Sequence, residues 1–496
     1  MRVALVMVGV SLLGVAWIAG TQQFGAPDEA SHYLRALSIT NGRILGPKVR
    51  YTDFPLTPAE EVWANHNTRA VMVPARLTPP NVRCMNGKPD LNGRCLVEDV
   101  SGNYPPMSYL LPAVGLSVSP NTSTAIWVVR AASALPSLAL LILAVALAWD
   151  GTGWSVLGLL AATTPMVFFS SSILNPSGMQ ITACLAFAAA LIRISRAPAE
   201  APRWAWLAFG ASGALAILAG PIGLEFVILE LALFGVLLGR AGVRELRGTT
   251  GRWTLRVSAL TLMAAAVLAL IYSRVAGFEA TFEMSPLLPS LREGITQLPP
   301  VLKGGVGIFG ALTVFLPLAA YWIWWAGVVS LVAAAIWLGD RRARLVTVGV
   351  GVLALAFPVF FYAWVSRSTG FGLQGREVLP PLLLIPLVAG EVVSRRSSII
   401  AQRRSARLAL GGALAVLAVF LGYAWWYDAR AVAGAPHTIR FYAHAIWTPP
   451  IGWLPWVALA ALGTLALLAF ASTEALAAVR LAAARGTPGR GGAVVV

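Results

Sequence analysis

Ala26-Pro27-Asp28-Glu29-Ala30-Ser31-His32-Tyr33 follows directly on the first apolar run, and its reading decides how the rest of the chain is understood. Two adjacent carboxylates and an imidazole stand where an apolar segment ends. Read as a helix over 27–40, the stretch puts Asp28 and His32 one turn apart on one face, with Glu29 three residues from His32. Pro27 suits a first helical position and Gly42 a C-terminal stop. Tyr33, Leu34 and Leu37 then form an apolar stripe. The pattern describes a short helix lying on a bilayer surface, its acids pointing into a cavity made by the spans. The plain alternative is that Asp28 and Glu29 only stabilise a helix N-terminus.

Working outward, the 496 residues are 57% hydrophobic and 12% charged, with a mean hydropathy of +0.73. Water does not tolerate that much apolar surface, whereas lipid solvates it. The net charge of +16 does not point to nucleic acid. Its basic residues fall in short clusters between apolar runs, as the positive-inside rule requires. Cysteine is scarce. Cys184 lies within an apolar run, and Cys84 and Cys95 close a small ring around Asn86-Gly87-Lys88-Pro89, a disulfide if the loop is outside.

Residues 3–20 read as an uncleaved first span. A polar stretch, 21–104, leads into an apolar segment ending near Ser119 that is too short to cross. Further spans read at 124–148, 153–172, 178–195, 204–219, 221–239, 254–275, 318–338, 345–365, 376–393, 406–427 and 453–473. Arg-bearing connectors at 193–203, 240–256, 339–344 and 394–407 are placed in the cytoplasm. Parity then puts 21–123 outside and makes 105–119 a re-entrant or surface helix. The region 304–318 reads as an outer surface helix or part of a longer tilted span. The expectation is an all-α, polytopic bundle of about 12 spans over 1–476, both termini cytoplasmic, with a basic, Gly-rich cytoplasmic tail at 477–496.

The polar features gather on the outer face. Asn175-Pro176-Ser177-Gly178 caps one span, Gln374-Gly375-Arg376-Glu377 enters another, and Tyr104-Pro105-Pro106 opens the re-entrant segment. Arg130 and Glu225 lie within spans, where an ionisable group is costly and faces protein or a water-filled cavity. They either serve a site or pair with each other. Arg376 and Asp28, on one face, either pair or grip a phosphate between them. Asn-Pro-Ser-Gly also reads as an ordinary turn and cap, and Gln-Gly-Arg as a turn with an interfacial Arg.

Pro27-Asp28-Glu29 with His32, Tyr104-Pro105-Pro106 with Tyr109, Asn175-Pro176-x-Gly178 and Gln374-Gly375-Arg376 with Pro380 occur in this order. The set resembles a large bacterial family of multi-pass membrane proteins of unknown function, itself similar to the GT-C glycosyltransferases. The resemblance covers roughly residues 1–430. Ser177 stands where an acid is usual, and Glu377 where an aromatic commonly follows the Arg.

The resemblance implies transfer of a sugar from a polyprenyl-phosphate donor to a cell-envelope glycan or lipid at the outer face of the bacterial cytoplasmic membrane. It makes Asp28 the base or a metal ligand, with Glu29 and His32 beside it. Arg376 and then Arg130 become the cations that meet the leaving phosphate, and Gln374, Asn175, Tyr104 and Glu225 the remaining substrate contacts. A divalent cation, Mg or Mn, at Asp28 is the candidate cofactor; the Ser177 departure weakens that expectation. Two other classes stay open: a transporter or flippase, for which the buried-span acid Glu230 speaks, and a non-catalytic envelope-assembly protein. Convergence of Asp28, His32, Asn175 and Arg376 on one cavity separates the first class from the last.

Overall fold

The computed structural model describes residues 2–52, 57–80, 82–247, 252–277, 286–435 and 437–486. Every span anticipated from the sequence is helical. Among the described residues nine helices are long and apolar enough to cross a membrane, or ten with the bent pair Trp154–Ala162 and Pro165–Ser172. These two meet at 61°, where Pro165 denies Thr164 a helical conformation. The count of about 12 is not reached on length and composition. The two remaining segments are Arg203–Ala219, 17 residues long, and Gly223–Arg247, interrupted at Gly239 by a φ of 60°. The chain is a multi-pass membrane protein with a mainly helical fold.

The core is the apolar interior of the bundle, built around Trp17, Phe168, Phe169, Phe187 and Trp425. The helices Pro176–Arg196 and Leu379–Arg395 are its most enclosed members. The helix Arg252–Ala276 leaves most of its surface, including Leu260, Met263 and Ile271, facing outward, as a lipid-facing helix does.

The polar stretch after the first span is a folded unit. It holds the helices Glu29–Thr40 and Pro58–Asn67 and an antiparallel pair of strands, Arg69–Pro74 and Arg94–Asp99. The register sets Val71 opposite Val97 and Val73 opposite Cys95. With period-2 alternation these four share one face, and they pack on Tyr33, Leu34 and Leu37 of the first helix. The sequence reading had no strands here. The Cys84–Cys95 disulfide is present and ties down the connection between them.

Residues 107–117 form a short apolar helix, too short to cross, in keeping with the re-entrant or surface reading. Between the helices Arg252–Ala276 and Leu318–Leu338 the chain carries a further helix, Leu287–Gly307. The region 304–318, expected as an outer surface helix or part of a longer tilted span, holds the end of that helix and a tight hairpin of Ile308–Phe309 with Val314–Phe315. The last helix, Leu454–Gly486, extends into the expected tail, whose residues 487–496 lie outside the described residues.

Candidate active site

Asp28 precedes the helix Glu29–Thr40 in a left-handed conformation, φ 61°, and its side chain makes no capping bond. An L-residue held there costs roughly 1–2 kcal/mol, less for Asp than for most. The carboxylate is instead directed across the fold to Arg376, whose Nη2 donates to Oδ2 at 2.8 Å. Asp28 is 54% exposed while Arg376 is 4% exposed, and the buried Nε of Arg376 has no partner. The pair rests on a single hydrogen bond, with guanidinium capacity left over.

Arg376 is placed by its neighbour Gly375. A Cβ at Gly375 would lie 2.4 Å from the backbone of Gly304 and Gly305, so only glycine permits this approach to the helix Leu287–Gly307. The carboxylate of Glu377 accepts from the Gln374 N–H at 2.9 Å and fixes the turn.

His32, one turn on from Asp28, is buried, and its Nδ1 lies 2.8 Å from the Tyr109 hydroxyl. The Tyr104 ring stands edge-on to it at 5.5 Å. Burial holds the imidazole down at about 4, with Asp28 pulling it up and Arg376 pushing it down, so His32 is neutral near pH 7.

Asn175 caps the helix Pro176–Arg196 by accepting from the Ser177 N–H at 2.8 Å. Pro176 occupies the first turn, and a Cβ at Gly178 would collide with the Ser170 carbonyl at 2.2 Å. The Asn-Pro-x-Gly pattern is thus a cap and a close helix contact, and it also brings Asn175 to the site.

These side chains share one cavity of about 860 Å³. Asp28, His32, Tyr104, Asn175, Glu225, Gln374 and Arg376 all line it. Two expected members do not. Glu29 and Arg130 are each 0% exposed and bind one another in a two-pronged ion pair, Nε to Oε1 at 2.7 Å and Nη2 to Oε2 at 2.6 Å. Arg130 also donates to the carbonyls of Thr21 and Gln22, and Glu29 accepts from the Leu174 N–H. Arg130 therefore pairs with Glu29 and not with Glu225. Its geometry locks the end of the first span to the helix Thr122–Ala148 and to the Asn175 turn, leaving neither group free to meet a substrate.

Sequence reasoning missed Arg35. It is fully buried, and its Nε and Nη2 clamp the Tyr104 carbonyl at 3.0 and 2.7 Å, with Tyr272 adding a third donor at 2.9 Å. Its spacing of three from His32 was the available signal. Asp99 was also missed. It accepts from the Ser31 hydroxyl at 2.7 Å and the Ser101 N–H at 2.9 Å. Burial pushes its carboxyl up to about 7, against the pull of Ser31 and Arg35.

Among the described residues no three His, Cys, Asp or Glu side chains gather as a metal-binding group. Asp28 already spends an oxygen on Arg376. This donor set does not fit a divalent cation held by the protein alone.

Comparison with solved structures gives the crystal structure of ArnT from Cupriavidus metallidurans bound to undecaprenyl phosphate. It is 16% identical, with a TM-score of 0.47, covering 96% of this chain and 77% of that one. The apo state of the same protein matches at 16% identity and a TM-score of 0.43, covering 94% and 75%. No curated protein matches the sequence. A family model described as "Predicted membrane protein (DUF2142)" matches residues 11–385, the region that holds every residue lining the cavity. The chain is a member of the DUF2142 family of membrane proteins.

Proposed function

We propose that this protein is a GT-C-type membrane glycosyltransferase that moves a sugar from a polyprenyl-phosphate donor to a cell-envelope acceptor at the outer face of the cytoplasmic membrane. One observation carries the reading: Asp28 and His32 from one segment, and Asn175 and Arg376 from two others, line a single cavity. The apolar wall of the cavity supports a lipid donor. Leu268 and Trp364 line it, yet are 56% and 51% exposed, so that wall reaches the lipid-facing surface between two spans.

Asp28 is the base. It takes the acceptor hydroxyl proton as the oxygen attacks the sugar anomeric carbon. The bond from that carbon to the phosphate oxygen breaks, and the phosphate leaves with the electron pair. Arg376 meets the growing charge in a site where a preorganised cation is most effective. The resting ion pair implies an exchange: the donor phosphate takes Arg376, which frees Asp28 to act as base. His32, being neutral, orients groups by hydrogen bonding and adds no charge. No step uses a metal. Glu225, Gln374, Asn175 and Tyr104 are assigned to substrate contact.

The test is protein in nanodiscs incubated with a panel of radiolabelled polyprenyl-phosphate sugars. Transfer or sugar release by the wild type, reduced about 10²-fold or more in Asp28→Asn, is the expected result. Turnover unchanged by that substitution would remove Asp28 from the site. Folded protein inert towards every donor would favour transport or assembly.

A further inference from the structure

The cavity has a roof that the chemistry above does not use. Tyr51, Trp63 and Phe371 line it. The first two belong to the folded unit outside the bundle, and Phe371 to the turn that ends the helix Arg341–Thr369. Trp63 and Phe371 meet edge-on with centroids 5.2 Å apart, an arrangement that fixes both rings without stacking them face to face. Both are half-buried, not core residues.

The roof is built to stay in place. The helix Pro58–Asn67 starts with Pro58 in its first turn and a reciprocal Thr57–Glu60 cap. It rests on Gly370, whose φ of 74° and separation of 2.6 Å between a built Cβ and the Ala59 Cβ leave no room for a side chain. On the other side His66 Nε2 lies 2.8 Å from the Gly277 carbonyl, and Arg69 Nη2 donates to the Ala276 carbonyl at 2.6 Å. The helix therefore bridges the ends of two spans and presents its Trp in a fixed orientation. Preorganised rings lose little freedom when a ligand arrives.

We infer that Tyr51, Trp63 and Phe371 form the acceptor subsite and that the acceptor is a saccharide, stacked by the C–H face of its ring on these aromatics. This rests on the glycosyltransferase reading. A pyranose is an amphipathic plate, with C–H groups on its faces and hydroxyls at its edge. It suits aromatic rings at the wet end of a cavity, where an apolar body and polar neighbours occur together. A lipid chain is provided for elsewhere, by Leu268, Phe361 and Trp364 on the span wall. The roof comes from the part of the chain outside the bundle, so a ligand lying on it approaches from solvent.

The experiment uses full-length protein in nanodiscs. Saturation-transfer NMR and tryptophan fluorescence are recorded against gluco-, galacto-, manno-, rhamno- and arabino-oligosaccharides, with a short peptide as comparison. At least one oligosaccharide is expected to bind, about 10-fold or more weakly to Trp63→Ala, with most affinity retained by Trp63→Phe. Phe371→Leu provides a second reading should Trp63→Ala fold poorly. Binding unchanged in folded Trp63→Ala or Phe371→Leu, or binding of the peptide and none of the saccharides, would overturn the inference. Donor turnover is assayed in parallel. Turnover with saccharide binding indifferent to Trp63 removes the acceptor subsite and leaves the enzyme. Trp63-dependent saccharide binding without turnover of any donor removes the glycosyltransferase and leaves the saccharide site.

Discussion

Asp28 and Arg376 lie 348 residues apart in sequence and are joined by one hydrogen bond of 2.8 Å across the cavity. The acid is the exposed partner and the base the buried one. If a donor phosphate replaces Asp28 at Arg376, then removing the carboxylate removes a competitor. Asp28→Asn should lower transfer about 10²-fold or more while polyprenyl phosphate binds at least as tightly as to the wild type. Arg376→Gln should weaken that binding. Calorimetry or thermal-shift titration with the lipid phosphate reads both. Weaker phosphate binding by Asp28→Asn would count against the exchange.

The Glu29–Arg130 pair predicts the opposite phenotype. Breaking a buried pair from one side costs about 3–5 kcal/mol, because the remaining charge is stranded. Glu29→Gln and Arg130→Met should each shorten the half-life of the solubilised protein at elevated temperature, whereas Asp28→Asn should not. A well-folded Glu29→Gln protein with only its rate reduced would return Glu29 to the chemistry.

Two buried groups beside the cavity give stability a pH dependence of opposite sign. His32 titrates at about 4 when folded against about 6.5 unfolded. Its contribution is complete above pH 6.5 and is lost as pH falls towards 4, about 3 kcal/mol in all. Asp99 titrates at about 7 when folded, so its contribution is complete below about pH 4 and is lost as pH rises to 7. The two slopes oppose one another between pH 4 and 6.5. Asp99→Asn should therefore make the melting temperature rise more steeply with pH across this window, and His32→Gln should make it rise less steeply or fall. Unchanged slopes in both variants would contradict these assignments.

The Cys84–Cys95 bridge closes a loop with a sequence separation of 11, for which the chain-entropy model gives about 3 kcal/mol. Reduction or Cys84→Ser should loosen the strand pair first. Limited proteolysis should then cut between residues 74 and 94 well before the membrane helices are lost.

Since Arg376 supplies the cation in this reading, transfer should survive chelation. EDTA-treated protein is expected to retain its rate within about 2-fold, while Arg376→Lys should lose activity because an ammonium lacks the guanidinium fork. Restoration of activity in chelated protein by Mg or Mn would bring the metal back to Asp28.

The helical membrane fold was legible because lipid imposes a local rule: a spanning segment must be long, apolar and internally hydrogen-bonded. Each expected span is helical, with 153–172 broken into two helices, and the cap read at Asn175-Pro176-Ser177-Gly178 is present. The close backbone approaches at Gly178 and Gly375 come instead from packing that the sequence reading did not include. The strands at 69–74 and 94–99 were hidden by short length and by polar surroundings, since strand pairing is a non-local choice. Only the tertiary structure separated Asp28 from Glu29. Adjacent in sequence and alike in chemistry, they diverge because the left-handed backbone at Asp28 aims one carboxylate at the cavity. The first helical turn sends the other inward to Arg130. Sequence spacing sets which residues share a face within one helix; which of two neighbouring acids finds a cation a hundred residues away, and which finds one three hundred and forty-eight away, is decided by packing.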